Sequence, residues 1–197
     1  MADSLPLVEL TRPISSGIWQ WAAYSSHHRV ELGSHLVWDG VRAMVFDPLP
    51  LSDALWNSWP ISAKPGVLVV TNSNHERALD RWRDRFPGAA IVGWPMAPTE
   101  LEIDSCLSGW RAIPLPGGAP GETAYHCGVM DLMVFGDAVV QLPSRGLELL
   151  PVKYCQDEGQ LRESLRRLPR YGRAVMAHGE PLLEAASERV GALIRVS

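Results

Sequence analysis

Hydrophobic and polar residues alternate in two different ways along this chain. Ile18–Tyr24 and Val30–Trp38 partly alternate and predict half-buried strands, and Asp39-Gly40 is a hairpin signal leading into a third strand, Val41–Phe46. That opening third predicts an antiparallel meander. Ser52–Trp59 predicts a short helix capped by Ser52 or Asp53. From Val67 the pattern changes to strands and helices in turn. Val67–Val70 is a continuous aliphatic run, as a strand covered on both faces requires. Ala78, Leu79, Trp82 and Phe86 then fall at helical spacing, predicting a helix from about His75 to Phe86.

Ala89–Trp94 and Trp110–Leu115 read as strands, and Thr99–Cys106 is ambiguous. Thr123–Val129 and Leu132–Phe135 predict a second antiparallel pair closing at Gly136-Asp137. Asp157–Leu168 is helical by its leucine spacing, and Ala174–Ala177 is a final buried strand that delivers His178-Gly179. Pro181–Ile194 predicts a closing helix. Strands, strand–helix units, strands and helix–strand–helix, in that order, suit two sheets packed face to face with helices outside.

Composition narrows the function classes. The 197 residues are 46% hydrophobic and 20% charged, in keeping with one domain spanning residues 1–197. A formal net charge of −4 gives no reason to expect nucleic acid or an anionic membrane as partner. Arg77–Arg85 and Arg162–Arg173 have helical periodicity and read as solvated faces. Neither a secretory leader nor an apolar run of ~18 residues is visible. Cys106, Cys127 and Cys155 form no Cys-x-x-Cys. They read as buried thiols of a reduced, cytoplasmic protein. Gly-x-Ser-x-Gly, Walker and dinucleotide-binding motifs are missing too.

The chemistry gathers where the Val67–Val70 strand ends, at Thr71-Asn72-Ser73-Asn74-His75-Glu76-Arg77. Further polar punctuation comes at Asp47-Pro48, Pro116-Gly117-Gly118-Ala119-Pro120-Gly121-Glu122, Gly136-Asp137 and His178-Gly179. In this order the five stretches resemble the metallo-β-lactamase fold superfamily, whose Thr-His-x-His-x-Asp-His, Pro-Gly-His-Thr-Pro-Gly, Gly-Asp and Gly-His-Gly motifs they parallel. The resemblance implies a four-layer αββα sandwich of two mixed sheets with outer helices. It also implies a hydrolase, since the family binds two metal ions with five His and two Asp to activate water.

Residue by residue, the motif is degenerate. Asn72 and Asn74 stand for the first two His, Glu76 for the Asp, Arg77 for the adjacent His and Gly118 for the loop His. Only Asp137 and His178 match. Zinc prefers imidazole and thiolate, carboxamides are poor substitutes, and a permanent cation at 77 repels a metal. Arg77 is expected to pair with Asp137 instead. The chain further resembles a branch in which Thr-Asn-x-x-His replaces the His-rich motif, with Gly146–Pro151 as another mark.

Three readings follow. The first is a hydrolase with a degenerate centre, mononuclear or empty. In it Asp137 and His178 hold one zinc, iron or manganese, and Glu76, Glu122, Asp137 and His178 are the catalytic candidates. The second is a pseudoenzyme that binds a small anionic ligand in the old cleft through Asn72, Asn74, His75, Arg77 and Glu122. The third is a structural or interaction protein. His75 is expected on the surface or as a cap, Glu76 as a partner of the helix dipole, and Asn72 and Asn74 as turn stabilisers. His27 and His28 could reach a metal from the side, and Trp19, Trp21, Trp38 and Trp110 read as core or rim packing.

Overall fold

The computed structural model describes residues 5–8, 11–59, 62, 64–95, 107–143 and 145–195. Six strands form the first sheet in sequence order: β1 (Thr11–Ser15), β2 (Ile18–Ser25), β3 (Val30–Trp38), β4 (Ala43–Phe46), β5 (Pro65–Val70) and β6 (Ala90–Gly93). The first four run antiparallel, and β4, β5 and β6 are parallel. The second sheet has the order β12-β9-β8-β7, from β7 (Trp110–Pro114), β8 (Thr123–Cys127), β9 (Leu132–Phe135) and β12 (Arg173–Met176). A separate hairpin pairs β10 (Val139–Leu142) with β11 (Gly146–Leu149). Among the described residues the α-helices are α1 (Asp53–Asn57), α2 (Leu79–Arg85), α3 (Glu158–Arg166) and α4 (Ala186–Arg195).

Strand alternation explains the layering. In β4 and β5, Met44, Phe46, Val67 and Val69 face a core shared with Tyr125, Leu132, Val134 and Val175 of the second sheet. Their neighbours Ala43, Val45 and Leu68 face the opposite way, onto Trp82 of α2 and Leu55 of α1. A third core joins Met133, Phe135, Ala174 and Met176 to Leu161 and Leu165 of α3 and to Val190 of α4. Three cores separate four layers, helix, sheet, sheet and helix. The Val67–Val70 run is uniformly apolar because both of its sides are buried.

The expected meander is present, turning at Asp39-Gly40, where Gly40 takes φ +95° and Asp39 Oδ1 accepts from Val41 and Arg42 N–H. Two expected helices start late. Residues after Val70 form turns up to α2, with His75 N–H on Asn72 O at 3.1 Å and Arg77 at φ +44°. That left-handed residue cannot lie inside a helix. At the other end, Leu182 bridges antiparallel to Ala174, and Ala185 has φ +50°, so α4 begins at Ala186 rather than Pro181. Strands β1, β10 and β11 were not expected, their short pieces carrying little period-two signal. Thr99–Cys106 lies outside the described residues.

Candidate metal centre

Strand ends from both sheets bring the site together. Asp47 follows β4 with φ +51°, Thr71 to Arg77 follow β5, Asp137 follows β9 and His178 follows β12. Asp47 is the buried base of the site: its Oδ1 accepts from Thr71 N–H at 2.9 Å, and its Oδ2 from Thr71 Oγ1 at 2.8 Å. Oδ2 also lies 3.0 Å from His75 Nδ1. The opposite nitrogen of the same ring, Nε2, lies 3.2 Å from Asp137 Oδ1. His178 Nε2 points at that same oxygen from 3.0 Å, and its Nδ1 faces the Glu31 carbonyl at 2.8 Å.

This pattern constrains the protons. A carbonyl oxygen can only accept, so His178 Nδ1 carries hydrogen. Asp47 imposes the same on His75 Nδ1. In the neutral rings both Nε2 lone pairs therefore converge on a carboxylate oxygen, which repels them unless a proton or a metal cation lies between. Burial disfavours charge on His75, but the Asp137 and Asp47 carboxylates outweigh it and raise its pKa to about 9. Burial likewise works against ionised Asp137, yet the His75 charge and hydrogen bonds from His178 and His75 hold its pKa well below the usual range.

A metal suits the same donor set. Among the described residues His75, Asp137 and His178 form a group whose ligand atoms all lie within 4.8 Å of one another. The two nitrogen–oxygen separations match the edge of a zinc tetrahedron, about 3.3 Å for bonds of ~2.0 Å. Each imidazole has its outer nitrogen fixed by an acceptor, the usual support of a metal-binding histidine. The amides of Asn72 and Asn74 donate to Asp137 Oδ2 at 3.2 and 3.1 Å and orient the carboxylate. One ion fits. Among the described residues no second such group is found: the side chains at 72, 74 and 77 direct N–H groups at neighbouring oxygens, and Gly118 has no side chain.

Several expectations need correction. His75 is neither a surface nor a capping residue: it is 2% exposed and central to the cluster. Arg77 does not pair with Asp137. Its Nη1 donates to the carbonyls of Gly33 and Asp47, joining the ends of β3 and β4, and its Nη2 is buried without a partner. Asp137 is accordingly an acceptor for two histidines rather than one arginine. Glu122 is buried behind the site, where Oε1 accepts from the N–H groups of Asp137 and Ala138 at 2.9 Å and Oε2 from Asn72 at 2.7 Å. Burial and the Asp137 charge raise its pKa to about 8, but it lies outside the open cleft that a general base must reach. Asn72 is fully buried and likewise faces Glu122, not the cleft. Glu76 is exposed and outside the cluster.

The cleft over the cluster has a volume of about 720 Å³, and Asn74, His75, Asp137 and His178 form part of its wall. His28 stands on its rim beside His27, apart from the three-residue group. Trp21 and Trp110 are core residues. Sequence reasoning missed two groups that hold the site. Thr71 ties Asp47 to His75. Gln20 donates to Gly179 O at 3.0 Å while Arg12 donates to Gln20 Oε1, clamping the residue next to His178. A buried polar residue on a strand of tryptophans is the signal that could have revealed Gln20.

The fold is that of the metallo-β-lactamases. A metallo-β-lactamase from Erythrobacter litoralis, solved with β-mercaptoethanol in its active site, matches with a TM-score of 0.70 at 15% identity, over 93% of this chain and 95% of that one. The enzyme from Pontibacter korlensis gives 0.68 at 16% identity over 95% and 99% of the two chains. FIM-1 from Pseudomonas aeruginosa, solved in its mono-zinc form, gives 0.68 at 14% identity over 97% and 96%. No protein-family model matches the sequence, and no curated protein does.

Proposed function

We propose that this protein is a hydrolase working with one divalent metal ion held by His75, Asp137 and His178. One observation carries the reading: two imidazole Nε2 atoms converge on a single carboxylate oxygen while both outer nitrogens are tied to acceptors. That is a ligand set arranged before the ligand arrives. The mono-zinc form of FIM-1 is a precedent on the same fold for a single ion. Bound there, a divalent ion supplies Lewis acidity and lowers the pKa of water toward neutrality.

The chain's own residues do the rest. Asp47 and Thr71 hold the His75 ring with Nε2 directed at the cleft side of the cluster. Glu31 O does so for His178. Asn72 and Asn74 keep Asp137 Oδ1 free by occupying Oδ2. Arg77 makes no ion pair with Asp137; it lines the cleft wall while its Nη1 donates to the Gly33 and Asp47 carbonyls. The cleft gives the substrate access to Asn74 and His178.

A second reading has its own support. The raised proton affinity of His75 lets an imidazolium serve as the site's cation, leaving a binding protein that uses the cleft without metal. Elemental analysis of protein purified without added metal separates the two. We expect close to one equivalent of zinc, iron or manganese per chain, lost in His75→Ala and in His178→Ala. Absence of metal, with no uptake from zinc, ferrous or manganese salts, would refute the first reading and favour the second.

A further inference from the structure

The chain is acidic overall, yet the mouth of its cleft is not. Arg29, Arg77, Arg145 and Lys153 line it, against the carboxylates Glu31 and Asp137. Arg77 is committed through Nη1 to the carbonyls of Gly33 and Asp47. Asp137 is engaged by the two histidines, and Arg145 is paired with Glu148 at 2.7 Å. Arg29 and Lys153 remain as cations with no ion pair among the described residues, and both line the cleft. Arg29 sits on the β2–β3 loop, and Lys153 follows the β10–β11 hairpin in the 3-10 turn Val152–Tyr154.

Backbone geometry makes Arg29 stand out. It ends a hairpin loop at φ +55°, a conformation that Gly or Asn adopts more readily than other residues. A long cationic side chain occupies the place a glycine would take most cheaply, and it is directed to the cleft. Beside the cations stand two aromatic rings, Tyr24 and Tyr154, 63% and 59% exposed. Lys153 Nζ lies 4.5 Å over the Tyr154 ring. Leu142, Pro143 and Pro151 continue the apolar wall inward.

We infer that the cleft binds an organic anion with an apolar body, its acidic group held by Arg29 and Lys153 and its body lying against Tyr24 and Tyr154. A volume of about 720 Å³ is that of a pocket for a small molecule, within the usual ~300–1,000 Å³. Two cations without an ion pair in one cleft offer a neutral or cationic ligand of the same shape no counter-charge, so the discrimination is electrostatic. This inference rests on the reading that the cleft is the ligand site, and does not require the ion.

Calorimetry with three matched probes tests it: 1-naphthylacetate, 1-naphthylacetamide and 1-naphthylmethylammonium, each with metal-loaded and with chelator-treated protein. We expect the anion to bind at least tenfold more tightly than the amide and the cation in both forms. The preference should weaken with salt and largely vanish in Arg29→Gln/Lys153→Gln, whose substitutions are on the surface. Lys153→Glu should reverse it toward the cation. Equal affinities, no binding by any probe, or a preference that survives the double substitution would overturn the inference. A preference that disappears on chelation and ignores the double substitution would overturn it too, while supporting the metal reading. Loss of the metal reading with the anion preference intact would leave this inference standing.

Discussion

Gly118 stands where the motif that the chain resembles carries a histidine, and the structure leaves no room there for a side chain. A Cβ at this position would lie 2.8 Å from Glu122 Cγ and 3.0 Å from Glu122 Cβ. Carbon atoms meet comfortably at about 3.5–4.0 Å, so the overlap approaches an ångström. Glu122 cannot step aside cheaply, because its carboxyl group accepts from two backbone N–H groups and Asn72. Nor is the loop free: Gly118 N–H is bonded to Leu115 O, and Gly118 O accepts from Gln156. Gly118→Ala should therefore cost about 1–3 kcal/mol, the usual range for overpacking. Glu122→Gln keeps the offending Cγ and should leave that cost unchanged. Glu122→Ala removes it and should at least halve the cost, although it is itself destabilising by about 1–3 kcal/mol for each N–H left bare. Urea unfolding of wild type, the three single variants and the two double variants, at one fixed metal concentration, gives the coupling directly. An equal cost of Gly118→Ala in all backgrounds would refute the argument that Glu122 fills the lost ligand's space.

Other outcomes can be checked independently. His35 is buried with Nε2 unpartnered, and burial lowers its pKa to about 3. Its unfolded value is near 6.5, so the stability it permits is present above pH 6.5 and is lost as pH falls toward 3. Wild type should lose about 2 kcal/mol from this residue by pH 5, a loss missing in His35→Leu, measured by urea midpoints at pH 7 and 5. His75 carries the opposite sign. Raised to about 9, it stabilises chelator-treated protein fully below pH 6.5, and that share should fade as pH climbs from 6.5 through 9. A midpoint that stays flat over that window in wild type, as in His75→Gln, would contradict it. Gln20→Leu removes the bond to Gly179 O and should weaken metal binding on the order of tenfold in a chelator-competition titration. Trp82 is fully buried, lies 5.7 Å from Trp21 in a stacked pair and donates to Leu49 O; Trp82→Ala should cost about 3–5 kcal/mol by urea unfolding.

The layered fold could be read from the sequence because its signals are local. Continuous Val67–Val70, the Asp39-Gly40 turn and the leucines of α3 each report their surroundings through period and turn chemistry alone. Asp137 and His178 were singled out because they alone match the motif that the chain resembles, and the structure brings them to 3.0 Å of one another. His75 was not. Its neighbours suggest a helix's first turn, whereas the left-handed Arg77 delays the helix and turns the imidazole inward toward Asp47, 28 residues earlier in the chain. Arg77 and Glu122 were misread for a related reason. A charged residue in a motif suggests chemistry, and only three-dimensional packing shows that each serves backbone groups.

His75 comes from one half of the chain, and Asp137 and His178 from the other; among the described strands, those of the first sheet all precede residue 94 and those of the second all follow residue 109. An ion shared by these three side chains, as proposed, would therefore also act as an adhesive. Expressed as two separate fragments divided between residues 94 and 109, the halves should reassemble far more readily when zinc is supplied than when it is withheld. The extent of rejoining would then report the strength of the grip.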